Sequence, residues 1–401
     1  MSKEIQRAQT PAIVEDLGTK MVFLVGPRQC GKTTLANQIL ANEGGAYFSW
    51  DVDAHRRALR EGALPEDKHL WVFDELHKQK TWRNWLKGQF DLHRARHSIL
   101  VTGSARLDVY HRGGDSLQGR YFLHHLHPFT LAEAAGIVRP LSSLDQLPAR
   151  VVDPGPAAGA AVLRDLLRLG GFPEPFLSGS DRQAARWRRS YGATLVREDI
   201  RDLEALHDLD KIQLLYERLP ACVGSTLSIN ALREDLEVAF ETVRNWLLIL
   251  DRTYATFRVA PLGAPRIRAV KKTQKLYLWD WARVESEGAR FENLLAVHLL
   301  RLCDFAGDVL GESLELRYFR DVLGHEVDFV LLRRGKPWIA IEAKSGGGVA
   351  VGAGFKYLLE RMRFPLALRV GLGTTGHVVS PSINGTPVHC MPAHQFLAAL
   401  V

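Results

Sequence analysis

The chain has 401 residues, 46% hydrophobic and 24% charged, with 52 basic against 45 acidic side chains and a formal charge of +7. This is the composition of a folded protein of two to four domains, and the mild basic excess permits a polyanionic partner without requiring one. Four scattered cysteines with no CxxC pair exclude a zinc ribbon and a disulfide framework, no apolar run reaches membrane-spanning length, and "MSKEIQRAQT" lacks the apolar run of a signal peptide, so a cytoplasmic protein is expected.

From about residue 20 to 135, strand and helix signals alternate as in an α/β sheet. "MVFLVG" is a short buried strand and "KTTLANQILAN" has helical spacing; further strands are expected at "AYFSWD", "LWVFDE", "HSILVTGS" and "RYFLHHLHPF". Between the first strand and its helix, residues 26–33 spell G-x-x-x-x-G-K-T, the phosphate-binding P-loop. Gly26 and Gly31 let the backbone that runs from Pro27 through Arg28, Gln29 and Cys30 turn the N–H groups it has (Pro27 has none) inward around phosphate oxygens, with Thr34 in the first helical turn. Lys32 is expected to neutralise β/γ-phosphate charge of ATP, and the Thr33 hydroxyl to ligate magnesium.

"LWVFDE" ends a buried strand in two acids, which makes Asp74 the expected magnesium residue and Glu75 the general base that polarises water. Thr102, with Ser104 beyond it, ends the next strand where a polar side chain can sense the γ-phosphate. Of Arg28, Arg106 and Arg120, we expect Arg120 in "LQGRYF" to complete the site. Asp51 reads as a turn residue, and His124, His125 and His127 as an ordinary strand surface rather than a metal site.

"LPARVVDPGPAAGAA" (residues 147–161) is the best linker candidate, followed by a helical stretch to about 252 that "GGFPEP" interrupts. "STLSINALREDLEVAFETVRNWLLIL" holds two helices around "EVAF", with Ser228 capping the first and Glu241 or Thr242 opening the second. Two strands around a basic loop follow, and the whole has the outline of a winged helix-turn-helix. Its second helix would offer Thr242, Arg244 and Asn245 to a DNA groove, with Arg266, Arg268, Lys271 and Lys272 near phosphates. Interdomain packing is the competing reading, because "NWLLILDR" is apolar enough to be core.

The last part reads as a helix, "RFENLLAVHLLRL", and strands at "ELRYFRD", "EVDFVLLRR" and "WIAIEAK". Asp328, Glu342 and Lys344 interrupt apolar strands there. Glu342 and Lys344 are two apart and share a face. A loop centred on Gly335 sets Asp328 opposite Glu342; one centred between Gly335 and Lys336 sets it opposite Ala343, unless a bulge intervenes.

With "GPRQCGKTT", "WVFDELHK", "VTGSAR", "LQGRYFLHHLHPFTLAE", "GGFPEPF", "YGATLVREDI" and "KKTQKLYLWD" in view, the chain resembles the prokaryotic AAA-type ATPases whose C-terminal half is described as a domain of unknown function. The resemblance implies an α/β protein: a P-loop AAA-type ATPase domain (1–145), a linker and helical connector (146–205), a winged helix (206–268) and a restriction-endonuclease-like PD-(D/E)XK domain (269–401). In that pattern Asp328 and Glu342 hold Mg2+ or Mn2+, Lys344 orients the attacking water and Glu292 is a further acidic ligand, with Glu326 a weaker candidate. DNA is the implied partner and homo-oligomers are common in the group; no membrane is implied. Two functions are consistent with this. One is an ATPase coupled to a metal-dependent DNA nuclease in repair, recombination or defence. The other is a nucleotide-switched regulatory ATPase whose nuclease-like domain is inactive.

Overall fold

A computed structural model of the chain describes residues 5–103, 117–154, 159–200, 208–263 and 273–401. Contacts divide it into two units, Met1–Pro128 and Phe129–Val401.

The first unit is built on five parallel strands in the order β2-β3-β4-β1-β5. β1 (Met21–Val25) and β3 (Leu70–Asp74) are buried at every residue, because helices on both faces of a parallel sheet leave no wet side. β2 (Gly45–Ser49), β4 (Ser98–Thr102) and β5 (Tyr121–His125) complete the sheet. From β1 the chain crosses to β2, steps back through β3 to β4, and finally passes to the other side of β1 as β5. The carboxyl ends of all five strands therefore lie along one edge, where such sheets bind ligands. β5 corrects one expectation. His124 and His127 are buried, not surface residues, and His124 Nε2 lies 2.7 Å from Asp16 Oδ2 in the helix Thr10–Leu17.

In the second unit an eight-stranded mixed sheet runs β12-β13-β11-β10-β9-β8-β6-β7. Its strands are β6 (Thr256–Pro261), β7 (Lys275–Leu278), β8 (Leu314–Arg320), β9 (Glu326–Arg333), β10 (Lys336–Lys344), β11 (Leu366–Gly371), β12 (Val378–Ile383) and β13 (Thr386–Pro392). The 22-residue helix Glu287–Asp308 carries an apolar run of leucines, phenylalanines and alanines, nearly all buried. The expected pair of helices before the hairpin is present as Ile229–Leu236 and Phe240–Arg252, and the Ser228 hydroxyl accepts the Ala231 N–H at 3.2 Å as an N-cap should.

β6 and β7 pair antiparallel, and β6 then continues into the large sheet by parallel pairing with β8. A domain boundary between residues 268 and 269 would fall inside this hairpin, so the helix pair and the C-terminal sheet share strands. The linker expected over residues 147–161 is largely helical where it is described, with helices Leu147–Val152 and Ala160–Leu169. "GGFPEP" marks a close approach: a Cβ on Gly171 would sit 2.4 Å from the Trp281 ring, whose indole N–H donates to the Leu166 carbonyl at 2.7 Å.

Candidate functional site

At the end of β1 the backbone enters the P-loop through Gly26, with φ +145°, where a Cβ would lie 2.1 Å from the Leu126 carbonyl oxygen. Only glycine fits there. The loop is pinned again by the buried Cys30 thiol, 3.4 Å from the same carbonyl oxygen. Gln29 and Gly31 are also left-handed, and Gly31 starts the helix Lys32–Glu43. Lys32 is buried under the loop, its ammonium donating to the Gly26 and Pro27 carbonyls at 2.9 and 2.7 Å. Those carbonyls hold the charge where phosphate oxygens can take it over. Thr33 and Thr34 are exposed in the first helical turn.

Asp74 ends β3 beside this loop, and three hydroxyls surround it. Thr33 donates to Oδ2 at 3.2 Å, Tyr47 of β2 donates to Oδ2 at 2.6 Å, and the buried Thr102 of β4 donates to Oδ1 at 2.5 Å. The register explains the convergence, since Asp74 is level with Thr102 on one side and with Ser49 on the other. Thr102 thus orients Asp74, a role beside the γ-phosphate sensing expected of it. Burial, and then the Asp74 charge, push the Tyr47 phenol well up, so it stays a donor at every ordinary pH. Glu75 takes a left-handed φ of 55°, which turns its carboxylate out of the strand line. Burial pushes its pKa up against the pull of Lys78, whose ammonium is 3.7 Å away.

One sequence expectation does not assemble here. Arg120 precedes β5, whose first residue pairs with Met21, the first of β1, so parallel pairing puts Arg120 at the amino edge of the sheet, opposite the P-loop. There its guanidinium makes a two-pronged ion pair with Asp91, at 2.8 and 3.1 Å. Asp51, read from the sequence as a turn residue, accepts Lys78 at 2.7 Å on both oxygens. Ser104 and Arg106 lie outside the described residues, as do Arg266, Arg268, Lys271 and Lys272.

Thr33 and Asp74 offer a hydroxyl and a carboxylate, the hard oxygen donors Mg2+ prefers, so these residues fit that ion. The arrangement is that of a P-loop nucleotide-binding site.

Comparison with known proteins adds to this. Residues 18–135 match the family model described as an AAA domain. Residues 161–284 and 287–390 match two families, each described only as a domain of unknown function (DUF8612 and DUF4143). Over residues 18–135 the chain is thus similar to AAA domains. An uncharacterized protein of Mycobacterium tuberculosis is 26% identical over 262 residues, covering 65% of this chain and 54% of that relative. The chain thus spans about half the length of its mycobacterial relatives. An uncharacterized protein of Methanocaldococcus jannaschii is 24% identical over 353 residues, 76% of this chain and 72% of its own length. Among solved structures, the ORC1 protein of Aeropyrum pernix in complex with DNA aligns with 74% of this chain and 94% of its own, at 14% identity and a TM-score of 0.32.

The C-terminal constellation is a separate site. Arg334 and Gly335, both left-handed at φ 52° and 75°, make a two-residue hairpin turn between β9 and β10. Lys336 and Pro337 pair with Arg333 and Leu332, then Trp338 is an extra residue, and pairing resumes at Ile339–Leu331 and Ile341–Phe329. The turn is therefore centred between Arg334 and Gly335, unlike either loop expected. Without Trp338 Asp328 would fall opposite Ile341; the bulge sets it level with Glu342.

The side chains do not converge on an open metal site. Asp328 Oδ2 accepts the Ala343 N–H at 2.8 Å, while buried Glu342 accepts the Gly352 N–H at 3.2 Å and pairs with Lys344 at 3.3 Å. Glu292 accepts the Tyr277 hydroxyl at 2.7 Å. At the centre is a residue the sequence reading missed. Lys275, fully buried on β7, holds its ammonium 3.0 Å from Glu292, 2.5 Å from Glu326 and 3.8 Å from Asp328. Burial and repulsion from Glu292 push Asp328 up to about 7, against Lys275, the Ala343 N–H and Lys344. Among the described residues no group of three or more His, Cys, Asp or Glu side chains is arranged to hold a metal ion. The expected Mg2+ or Mn2+ set of Glu292, Asp328 and Glu342 is not gathered as one group among the described residues: Lys275 stands among the acids on the β7 side, and Lys344 pairs with Glu342.

In the helix Phe240–Arg252, Arg244 and Asn245 are exposed and Thr242 is partly so, while Val243, Trp246, Leu247, Ile249 and Leu250 are core. Arg244 pairs with Glu241 at 2.6 Å. Both readings of this helix therefore have a face: one packs and one is open.

Proposed function

We propose that this protein is a nucleotide-switched ATPase in which ATP binding and hydrolysis at the first unit regulate a second unit that binds a partner and does not cut it. The observation carrying the ATPase part is the set of three hydroxyls, from Thr33, Tyr47 and Thr102, that aims the Asp74 carboxylate at the P-loop. Bound Mg2+ would neutralise phosphate charge there. The chain's own residues do the rest. Loop N–H groups after Pro27, up to Thr33, bind phosphate oxygens, Lys32 balances their charge, and Glu75 takes a proton from water as it attacks.

DNA is the partner we assign to the helix pair and its hairpin, contacted through Arg244 and Asn245, with Thr242 beside them and Lys271 and Lys272 from the hairpin loop. The open polar face of the helix supports this, as does the basic composition of the loop. Non-cutting use of the C-terminal sheet is favoured over the nuclease reading by Lys275 among Glu292, Glu326 and Asp328. The test is ATP turnover and cleavage of linear, branched and single-stranded DNA in Mg2+ and in Mn2+. Turnover that depends on Lys32 and Glu75, without cleavage, supports the reading. Cleavage lost in Asp328→Asn overturns its second half.

A further inference from the structure

The second unit gathers three acids at a sheet where unpaired charge is costly. Glu292, Glu326 and Asp328 come from a helix and a strand separated in sequence, yet their oxygens gather around one nitrogen. That nitrogen is held in place from several directions. The Lys275 backbone is paired to Val259 on one side and bridged to Thr226 on the other, so its Cα is fixed. Its ammonium also lies 5.6 Å from the centre of the Tyr318 ring, close enough for a cation–π contact. Tyr277, two residues along the same strand, donates to the same Glu292 oxygen that Lys275 touches.

From this geometry we infer that Lys275 is a built-in counter-cation: its ammonium occupies the place a divalent ion would take between Glu292 and Asp328, and closes the cluster to metals. A divalent ion bonds carboxylate oxygens at about 2.0–2.6 Å. To use these oxygens it would have to stand within a few ångströms of a fixed ammonium, like charge against like charge. Of the oxygens it needs, Glu292 Oε1 already accepts from both Lys275 and Tyr277, and the ammonium stands 3.8 Å from Asp328 Oδ1. Removing the ammonium while keeping the acids should therefore uncover a divalent-cation site that the native chain lacks.

This inference rests on the non-cutting reading of the C-terminal sheet, and its test separates the two. Nucleotide-free full-length protein is titrated with Mn2+, following the free-ion paramagnetic resonance signal. Four chains are compared: wild type, Asp328→Asn, Lys275→Met, and Lys275→Met with Asp328→Asn. Lys275→Met keeps the stem volume and removes only the charge. The wild type and Asp328→Asn should bind Mn2+ alike. Lys275→Met should gain one equivalent per chain, at least tenfold tighter than any Asp328-dependent binding in the wild type, and the double variant should lose it. A wild-type equivalent that Asp328→Asn removes overturns the inference even if no DNA is cut, as does a folded Lys275→Met that gains no ion. If Lys275→Met fails to fold, by circular dichroism, the wild-type and Asp328→Asn pair decides alone. DNA cleavage, by contrast, would strike the parent reading.

Discussion

Asp74 and Asp328 invite direct comparison: both are aspartates on apolar strands, and both were expected to hold a metal. Asp74 is surrounded by neutral donors, the hydroxyls of Thr33, Tyr47 and Thr102. Hydroxyls orient a carboxylate without neutralising it, so it keeps its charge for an incoming cation. Asp328 shares its surroundings with two further acids and a buried ammonium. There an internal cation already stands among the acids, and burial with repulsion from Glu292 pushes Asp328 up to about 7. The lesson is that an acid at a strand end does not announce a metal site; the charge state of its neighbours decides.

The largest test of this contrast is at the open site. Glu75→Gln should lower ATP turnover by about 10²- to 10⁴-fold while ATP still binds, the ordinary share of a general base. Lys32→Ala should lose nucleotide binding itself. Because burial holds the Glu75 pKa above the usual carboxylate range, the acid limb of the wild-type rate profile should also lie above that range. A Glu75→Gln chain turning over at the wild-type rate would remove Glu75 from the mechanism.

Next comes the closed site. Lys275→Met leaves buried acids without their counter-charge and should cost about 3–5 kcal/mol in denaturant unfolding, the usual penalty for breaking one side of a buried pair. Adding Glu292→Gln and Asp328→Asn should restore most of it, because the repulsion goes with the acids. Equal instability in the triple variant would mean that Lys275 acts through packing alone.

A smaller effect follows from Asp328, held up to about 7 by burial and Glu292. Its folded pKa lies above its unfolded value, so the folded state binds the extra proton between them. The stability this supplies is full below the unfolded value near 4 and is lost as pH rises through about 7. Unfolding free energies measured from pH 4 to 8 should fall along this window, and Asp328→Asn should flatten the fall. The smallest effect belongs to Tyr47→Phe, which removes one of three hydroxyls from Asp74 and should cost about 1 kcal/mol of stability. Turnover should persist within a few-fold, since Thr33 and Thr102 still aim the carboxylate.

What the sequence showed follows the same divide. The P-loop, residues 26–33, and Asp74–Glu75 are contiguous, so their chemistry was legible before any fold. Arg120 was misplaced because neighbourhood in sequence says nothing about which end of a parallel strand a residue occupies; the Met21–Tyr121 pairing decides that. Trp338 could not be placed as the bulge, since it opens a continuous apolar run, residues 338–341, with no alternation for an extra residue to break. Lys275 was hidden twice over. It sits in "KKTQKLYLWD", where a strand follows a basic loop, and its partners Glu326 and Asp328 are about fifty residues away. Buried charge is settled by tertiary neighbours, and no periodicity reports them.

The central claim is that one acidic site works with a metal and the other does without. Steady-state ATP turnover and DNA cleavage on one preparation in Mn2+, for wild type, Glu75→Gln and Asp328→Asn, test it most directly. The account predicts turnover lost only in Glu75→Gln and no cleavage by any chain. Cleavage by the wild type that Asp328→Asn abolishes would contradict it.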